Sequence, residues 1–519
     1  MDLSKHRGDF AVYLPAISGF YTELLGRCKH IEGYIPDGRI PEGFEHGFEG
    51  LNFLDADKGY FKYNMGLYSA GHAYLDMEKS KKLEYIIQDR DRDNTMILGD
   101  SGGFQIGKGV IKFDWENFFE KPGDPGYKGD ADKTRHKILN WLEHTADWSM
   151  TLDVPAFAAV GKLSERTGLT EFQDTLDISL LNLDYFMRNR TPGATKFLNV
   201  LSGSNEENSK TWYDAVKHFS TKSFVQEAYG NEDRTLEGYA FAGINMKHMY
   251  SVLSRILDLR EDGLLEGKDW IHFLGTGRLN WACHLTSIQR QLRKHDNPNV
   301  TLSYDAASPF VNTAYGQTYT HNEFRAKRFG YFMDRAFDNK DMKGSTMPMP
   351  FAHSPIMSRL TVGDICVLGH GDTNRNGKEC TTSWDTLSYA LYMGHSVYNH
   401  ITATQEANRL ADMEKYRTPT HWKNWKKVKG SSVSNETSPY VPGTILMFDS
   451  FAEEVLDPAN TNARQMLEDN KEFLKEISFS DGSAEQSTFG ALFETEEYET
   501  GDSEADMQED IMRADFDGE

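Results

Sequence analysis

A chain of 519 residues with 39% hydrophobic content can bury a large core, and no run in it stays apolar long enough to cross a bilayer. Its four cysteines (Cys28, Cys283, Cys366 and Cys380) are too scattered for a disulfide framework, and Met1–Tyr13 carries no signal-peptide pattern, so the expected setting is a reducing cytoplasm. The net charge of −23 argues against nucleic acid only at first sight, because residues 481–519 hold fourteen Asp/Glu against Arg513 and carry −13 of it. Charges further apart than a Debye length, about 8–10 Å in physiological salt, hardly feel each other, which leaves room for a local basic face.

In chain order, residues 8–15 contain a first strand, 30–60 read as a loop rich in Gly, Pro and aromatic residues, and 76–90 read as a helix. The apolar run Met96-Ile97-Leu98 predicts a buried strand that ends in Gly99-Asp100-Ser101-Gly102-Gly103-Phe104-Gln105. A loop at 123–130 precedes an amphipathic helix over 131–147. Further strand-like runs follow: Trp148–Leu152 before Asp153, Lys196–Leu201 before Ser202-Gly203, and Gly238–Ile244. Two more are Trp270–Leu274 before Gly275-Thr276-Gly277, and Val300–Tyr304 before Asp305. Helices are expected near 207–218, 246–259 and 279–293.

Short strands alternating with helices imply a parallel sheet. Gly or Asp recurs at the same end of each strand, and a closed (β/α)8 TIM barrel brings all those ends to one mouth, whereas a doubly wound open sheet gathers only a few. Residues 311–350 turn polar, with a basic cluster at Arg325, Lys327 and Arg328, and 385–415 read as helix. In Tyr416–Lys429, Lys423, Lys426 and Lys427 are interleaved with Trp422 and Trp425. Such a segment either sits on phosphates, with its rings stacked on bases or packed on the body, or is a solvated helix face with its tryptophans buried. The expected division is a barrel with insertions over 1–440, a linker with a short helix over 441–480, and a disordered acidic tail over 481–519.

Asp100, Asp153 and Asp305 each follow a strand-like run. Any one of them alone fits a helix cap. Three at one mouth repel each other unless function holds them there. A carboxylate that attacks an anomeric carbon beside a second that handles protons is the apparatus of retaining glycosyl chemistry. A third carboxylate accepts two hydrogen bonds from the N1–H and amine of guanine.

Asp100-Ser-Gly-Gly-Phe-Gln105 resembles the signature of the tRNA-guanine transglycosylases, and Gly238-Tyr-Ala-Phe-Ala-Gly-Ile244 their glycine-rich recognition strand. Leu274-Gly-Thr-Gly277 is similar to the family's Gly-x-Gly turn, and Tyr304-Asp-Ala-Ala-Ser308 to its nucleophile segment. The resemblance spans residues 96–309 in the family's order. It implies a (β/α)8 barrel that exchanges guanine in a polynucleotide for a free 7-deazaguanine base such as preQ0 or preQ1, without a cofactor. It assigns Asp305 as the nucleophile on C1′ and Asp100 as the acid/base group. Asp153 matches the carboxylate on the guanine edge, and Phe104 and Leu274 the two walls around the base. Ser101, Gly103, Ser202, Gly203, Gly243, Ile244 and Gly275 then line the pocket, with Ser202 standing where the family usually has glutamine.

The tRNA enzymes carry zinc on Cys-x-Cys-x-x-Cys and a histidine, a spacing this chain lacks. Cys366, His370, Cys380 and His395 or His400 form the one irregular alternative. A changed zinc region and an acidic ending resemble the phage DNA-guanine transglycosylases, which install 7-deazaguanines in DNA to evade nucleases. The resemblance therefore implies DNA as partner, no membrane, a host cytoplasm, and a homodimer as one assembly. Alternatives are a divergent tRNA-guanine transglycosylase, a non-catalytic subunit of such an enzyme, and a sugar hydrolase on a similar barrel.

Overall fold

A computed structural model describes residues 1–120, 124–350, 353–374, 377–425 and 438–479. The acidic stretch 481–519 and the lysines 426 and 427 lie outside them.

Eight parallel strands follow one another in chain order around a closed (β/α)8 barrel. They are β1 (Val12–Pro15), β2 (Met65–Ser69), β3 (Met96–Asp100), β4 (Trp148–Met150), β5 (Lys196–Leu201), β6 (Gly238–Phe241), β7 (Trp270–Phe273) and β8 (Thr301–Ala306). β8 pairs with β1. The Ile17 N–H, which bonds to the Leu67 carbonyl over 2.9 Å, joins the end of β1 to β2 and closes the ring.

Strand alternation sorts the residues. Val12, Leu14, Leu67, Leu98, Trp148, Met150, Leu198, Val200, Ala240 and Trp270 fill the interior as one cluster. Their sequence neighbours, among them Tyr13, Ile97, Phe197, Tyr239 and Ile271, face outward into a second core beneath the helices, as does Tyr304 on β8. Burial on both faces is why these strands read as near-continuous apolar runs. The same parity points Asp100 inward with Leu98, His272 inward with Trp270, and Asp305 and Ser303 inward together from β8.

Seven of the eight strands follow the sequence pattern, and β2 was missed. Its Met-Gly-Leu-Tyr-Ser carries a glycine at its second position, which weakens the apolar pattern. The expected helix over 76–90 is two, Met77–Leu83 and Tyr85–Gln88. Between them Glu84 turns inward and accepts hydrogen bonds from Tyr68 Oη (3.1 Å), the Tyr74 N–H (2.7 Å), Trp141 Nε1 (3.4 Å) and Ser80 Oγ.

After β8, the polar stretch forms an antiparallel hairpin, β9 (Gln317–Arg325) and β10 (Arg328–Arg335), with Arg325, Lys327 and Arg328 at its tip. The long helix Thr386–Arg417 follows. The stretch 441–480 was expected as linker with a short helix; its described residues 441–479 instead form three helices: Gly443–Val455, Ala463–Asp469 and Lys471–Phe479. They seal the outer faces of the helices Met249–Glu261 and Leu279–His295, burying Phe448, Phe451, Phe473 and Ile477. Among the described residues no helix is long and apolar enough to cross a membrane.

Candidate functional site at the barrel mouth

The carboxyl ends of the strands open on one face, where a (β/α)8 barrel presents side chains from many loops together. Asp100 closes β3 directly across from Ser69 on β2. Ser69 Oγ donates to Asp100 Oδ2 over 2.6 Å and accepts from the Gly71 N–H over 3.0 Å. Burial raises the Asp100 pKa above the usual carboxylate range, Ser69 and the Gly102 N–H pull it back, and the charge of Asp305 adds to the rise.

Asp305 is only 7% exposed. Both of its hydrogen bonds fall on Oδ1, from the Gly275 N–H at 2.7 Å and from His272 Nε2 at 3.2 Å. Asp153 follows β4, and burial, reinforced by the charge of Asp100, pushes its pKa up to about 7. Asp153 thus feels Asp100, and Asp100 feels Asp305, so the three carboxylates share one electrostatic site.

The glycines of the Asp100-Ser-Gly-Gly turn allow this gathering. A Cβ on Gly103 would lie 2.2 Å from the Asp153 carbonyl and 2.9 Å from Asp153 Oδ1, so only glycine lets the two loops meet. Ser101 is buried, and its hydroxyl is committed to the Thr151 carbonyl at 3.2 Å, so it joins β3 to β4 instead of reaching a ligand. Phe104 is among the few exposed large apolar residues. It meets Phe157 edge-on at 5.1 Å, with the Lys108 ammonium 4.3 Å above its ring. Leu274, like Ala242, is partly buried against the interior cluster.

Ser202 is buried at the end of β5. Gly203 and Gly243 lock their two loops together: the Ile244 N–H bonds to the Gly203 carbonyl at 2.9 Å, and a Cβ on Gly243 would sit 2.3 Å from that oxygen. The Ile244 N–H is therefore spent within the protein. Asn245, which the sequence did not mark, cements the junction. Its amide donates to the carbonyls of Leu201 (2.8 Å) and Ser202 (3.3 Å), and its Oδ1 accepts from Ser209 Oγ (2.6 Å).

Ser69 and His272 were also missed, although each is a polar residue at an inward position of a barrel strand, a signal that parity makes visible. A further mouth residue is His72, after β2. Its Nε2 lies 3.4 Å from Gln105 Nε2, and burial lowers its pKa to about 4.

The structure does not bring the side chains of the irregular Cys/His set together at one point. Cys366 Sγ faces the Phe337 carbonyl at 3.8 Å, and His370 pairs with Asp341 at 3.0 Å. His395 is held by Ser354 Oγ (2.7 Å) and the Tyr319 carbonyl (2.9 Å). His400 is stacked between Tyr13 (4.3 Å) and Tyr331 (4.4 Å). Among the described residues no three His, Cys, Asp or Glu side chains gather as ligands.

In the basic segment, Trp422 packs edge-on against Phe451 at 5.4 Å and Trp425 lies 5.5 Å from Phe473. Both rings pack against the protein body, as two of the readings of this segment have it. Lys423 is exposed and stands 3.6 Å from Glu454.

No protein-family model matches the chain, and no curated protein matches it.

Proposed function

We propose that this protein is a base-exchange transglycosylase that replaces guanine in DNA with a 7-deazaguanine base through an aspartyl–sugar ester. The observation that carries the reading is the convergence of Asp100, Asp153 and Asp305 on one barrel mouth, each in a different environment. Asp305, fixed through Oδ1, attacks C1′; the C1′–N9 bond breaks and its electron pair leaves with guanine. Asp100, whose pKa is raised by burial, gives a proton to the departing base. The incoming 7-deazaguanine returns a proton to Asp100, its ring nitrogen attacks C1′, and Asp305 departs as carboxylate. No net oxidant, reductant or hydrolysis is required, because the ester conserves the energy of the glycosidic bond.

Asp153 accepts the N1–H and amine of the base, and Phe104 supplies a flat wall. DNA is favoured over tRNA by the resemblance to the phage enzymes, carried by the missing Cys-x-Cys-x-x-Cys spacing and the acidic stretch 481–519. The test is to incubate purified protein with labelled 7-deazaguanine base and either duplex DNA or tRNA, then analyse the nucleosides by mass spectrometry. Label in DNA, lost in Asp305→Asn, is the expected result. Label only in tRNA would move the reading to that polymer, and label in neither would overturn it.

A further inference from the structure

Behind Asp305 lies a chain of buried polar groups. His272 on β7 is the register partner of Ser303 on β8, and both are fully buried and point inward. Trp270 Nε1 lies 2.7 Å from Ser303 Oγ, Ser303 Oγ lies 2.8 Å from His272 Nδ1, and His272 Nε2 lies 3.2 Å from Asp305 Oδ1. The proton positions follow from what each group is able to do. An indole N–H only donates, so Ser303 Oγ accepts from Trp270 and its own O–H is left to donate. The acceptor beside it is His272 Nδ1. The imidazole then carries its proton on Nε2 and donates to Asp305 Oδ1, and every proton along the chain has an acceptor.

We infer that His272, held as the neutral Nε2–H tautomer by Ser303 and Trp270, is a positioning residue that reserves Asp305 Oδ1 for hydrogen bonding and leaves Oδ2 to attack the sugar. The inference rests on the reading of Asp305 as nucleophile. Among the described residues no hydrogen-bond donor reaches Oδ2, whereas Oδ1 takes both the Gly275 N–H and the His272 N–H. Once Oδ2 is bonded to C1′, Oδ1 becomes the ester carbonyl. As the second base attacks, the C1′–Oδ2 bond breaks and its electron pair returns to the carboxylate. The two donors on Oδ1 stabilise the charge that develops there, as an oxyanion hole does. They therefore act most on breakdown of the ester.

The experiment compares His272→Ala and His272→Gln with the parent protein in the exchange assay, trapping the protein–nucleic acid adduct by acid quench. His272→Ala should lower turnover about tenfold to a hundredfold, at or below the low end of the cost of one lost oxyanion donor. It should also raise the trapped fraction and leave the KM for the free base little changed. His272→Gln, whose amide still donates, should recover most of the loss. Equal impairment of both variants without adduct accumulation would mean a structural role only and overturn the inference, as would parental turnover in His272→Ala. If the parent protein exchanges no base on any polymer, the functional reading fails and the inference fails with it. Nitrogen NMR of the His272 ring needs no turnover: protonated Nε2 with bare Nδ1 is expected, and the opposite tautomer would refute the proposal whatever the activity.

Discussion

Ser69 on β2 and Asp100 on β3 are register partners, and the serine hydroxyl donates to Asp100 Oδ2 over 2.6 Å. This bond favours the ionised carboxylate against a burial that disfavours it. Ser69→Ala removes the donor, so the Asp100 pKa should rise further. The limb of the exchange pH–rate profile that reports Asp100 should move to higher pH, while the fold, read by circular dichroism, stays as it was.

Asp153 predicts a conflict between stability and function. Its folded-state pKa of about 7 lies above the value of about 4 for an exposed aspartate, so between these values the folded protein binds a proton that the unfolded chain has released. Stability contributed by this group is therefore present at low pH and is lost as pH rises towards 7. Asp153→Asn removes the burden and should stabilise the protein by about 2 kcal/mol at pH 8 in denaturant titrations, while abolishing base exchange.

The same carboxyl makes ligand affinity depend on pH. A base that donates to both oxygens selects the ionised form, so below about pH 7 binding must first expel a proton. The Kd for free guanine, measured by calorimetry, should rise about tenfold for each pH unit below that point and level off above it. Asp153→Asn should flatten the curve.

Gly103→Ala should fail for steric reasons. The added methyl would meet the Asp153 carbonyl at 2.2 Å, and backbone cannot swing aside as a side-chain tip does. A cost of about 1–3 kcal/mol is expected from overpacking, seen as a lower Tm, together with lost exchange activity as Asp153 is displaced.

Trp422 separates the two readings of the rings in the basic segment. Packed on Phe451, it should on substitution by alanine destabilise the protein by about 2 kcal/mol and leave the Kd for duplex DNA unchanged. A stacking platform for bases would show the reverse, with affinity lost and Tm kept.

Much of the barrel was legible in the chain because its signals are local. Apolar runs such as Lys196–Leu201 stop at Gly or Asp, helices of suitable length lie between them, and period-two alternation tells which side chains face in. β2 escaped because Gly66 and Ser69 dilute its apolar pattern, and the helices after residue 441 escaped because their neighbours read as linker. Ser101 and Ile244 were placed in the pocket by resemblance, yet the Ser101 hydroxyl and the Ile244 N–H serve neighbouring loops.

The sequence by itself determined that carboxylates and glycines stand where strands end, and thus that Asp100, Asp153 and Asp305 belong to one rim. Only the tertiary structure decided which oxygen of Asp305 is held, that Ser69 steadies Asp100, and that His272 and Ser303 stand behind the mouth as one hydrogen-bonded chain. The reason is physical: alternation is a property of a few consecutive residues, whereas a hydrogen bond between neighbouring strands depends on the register at which segments tens to hundreds of residues apart come to rest.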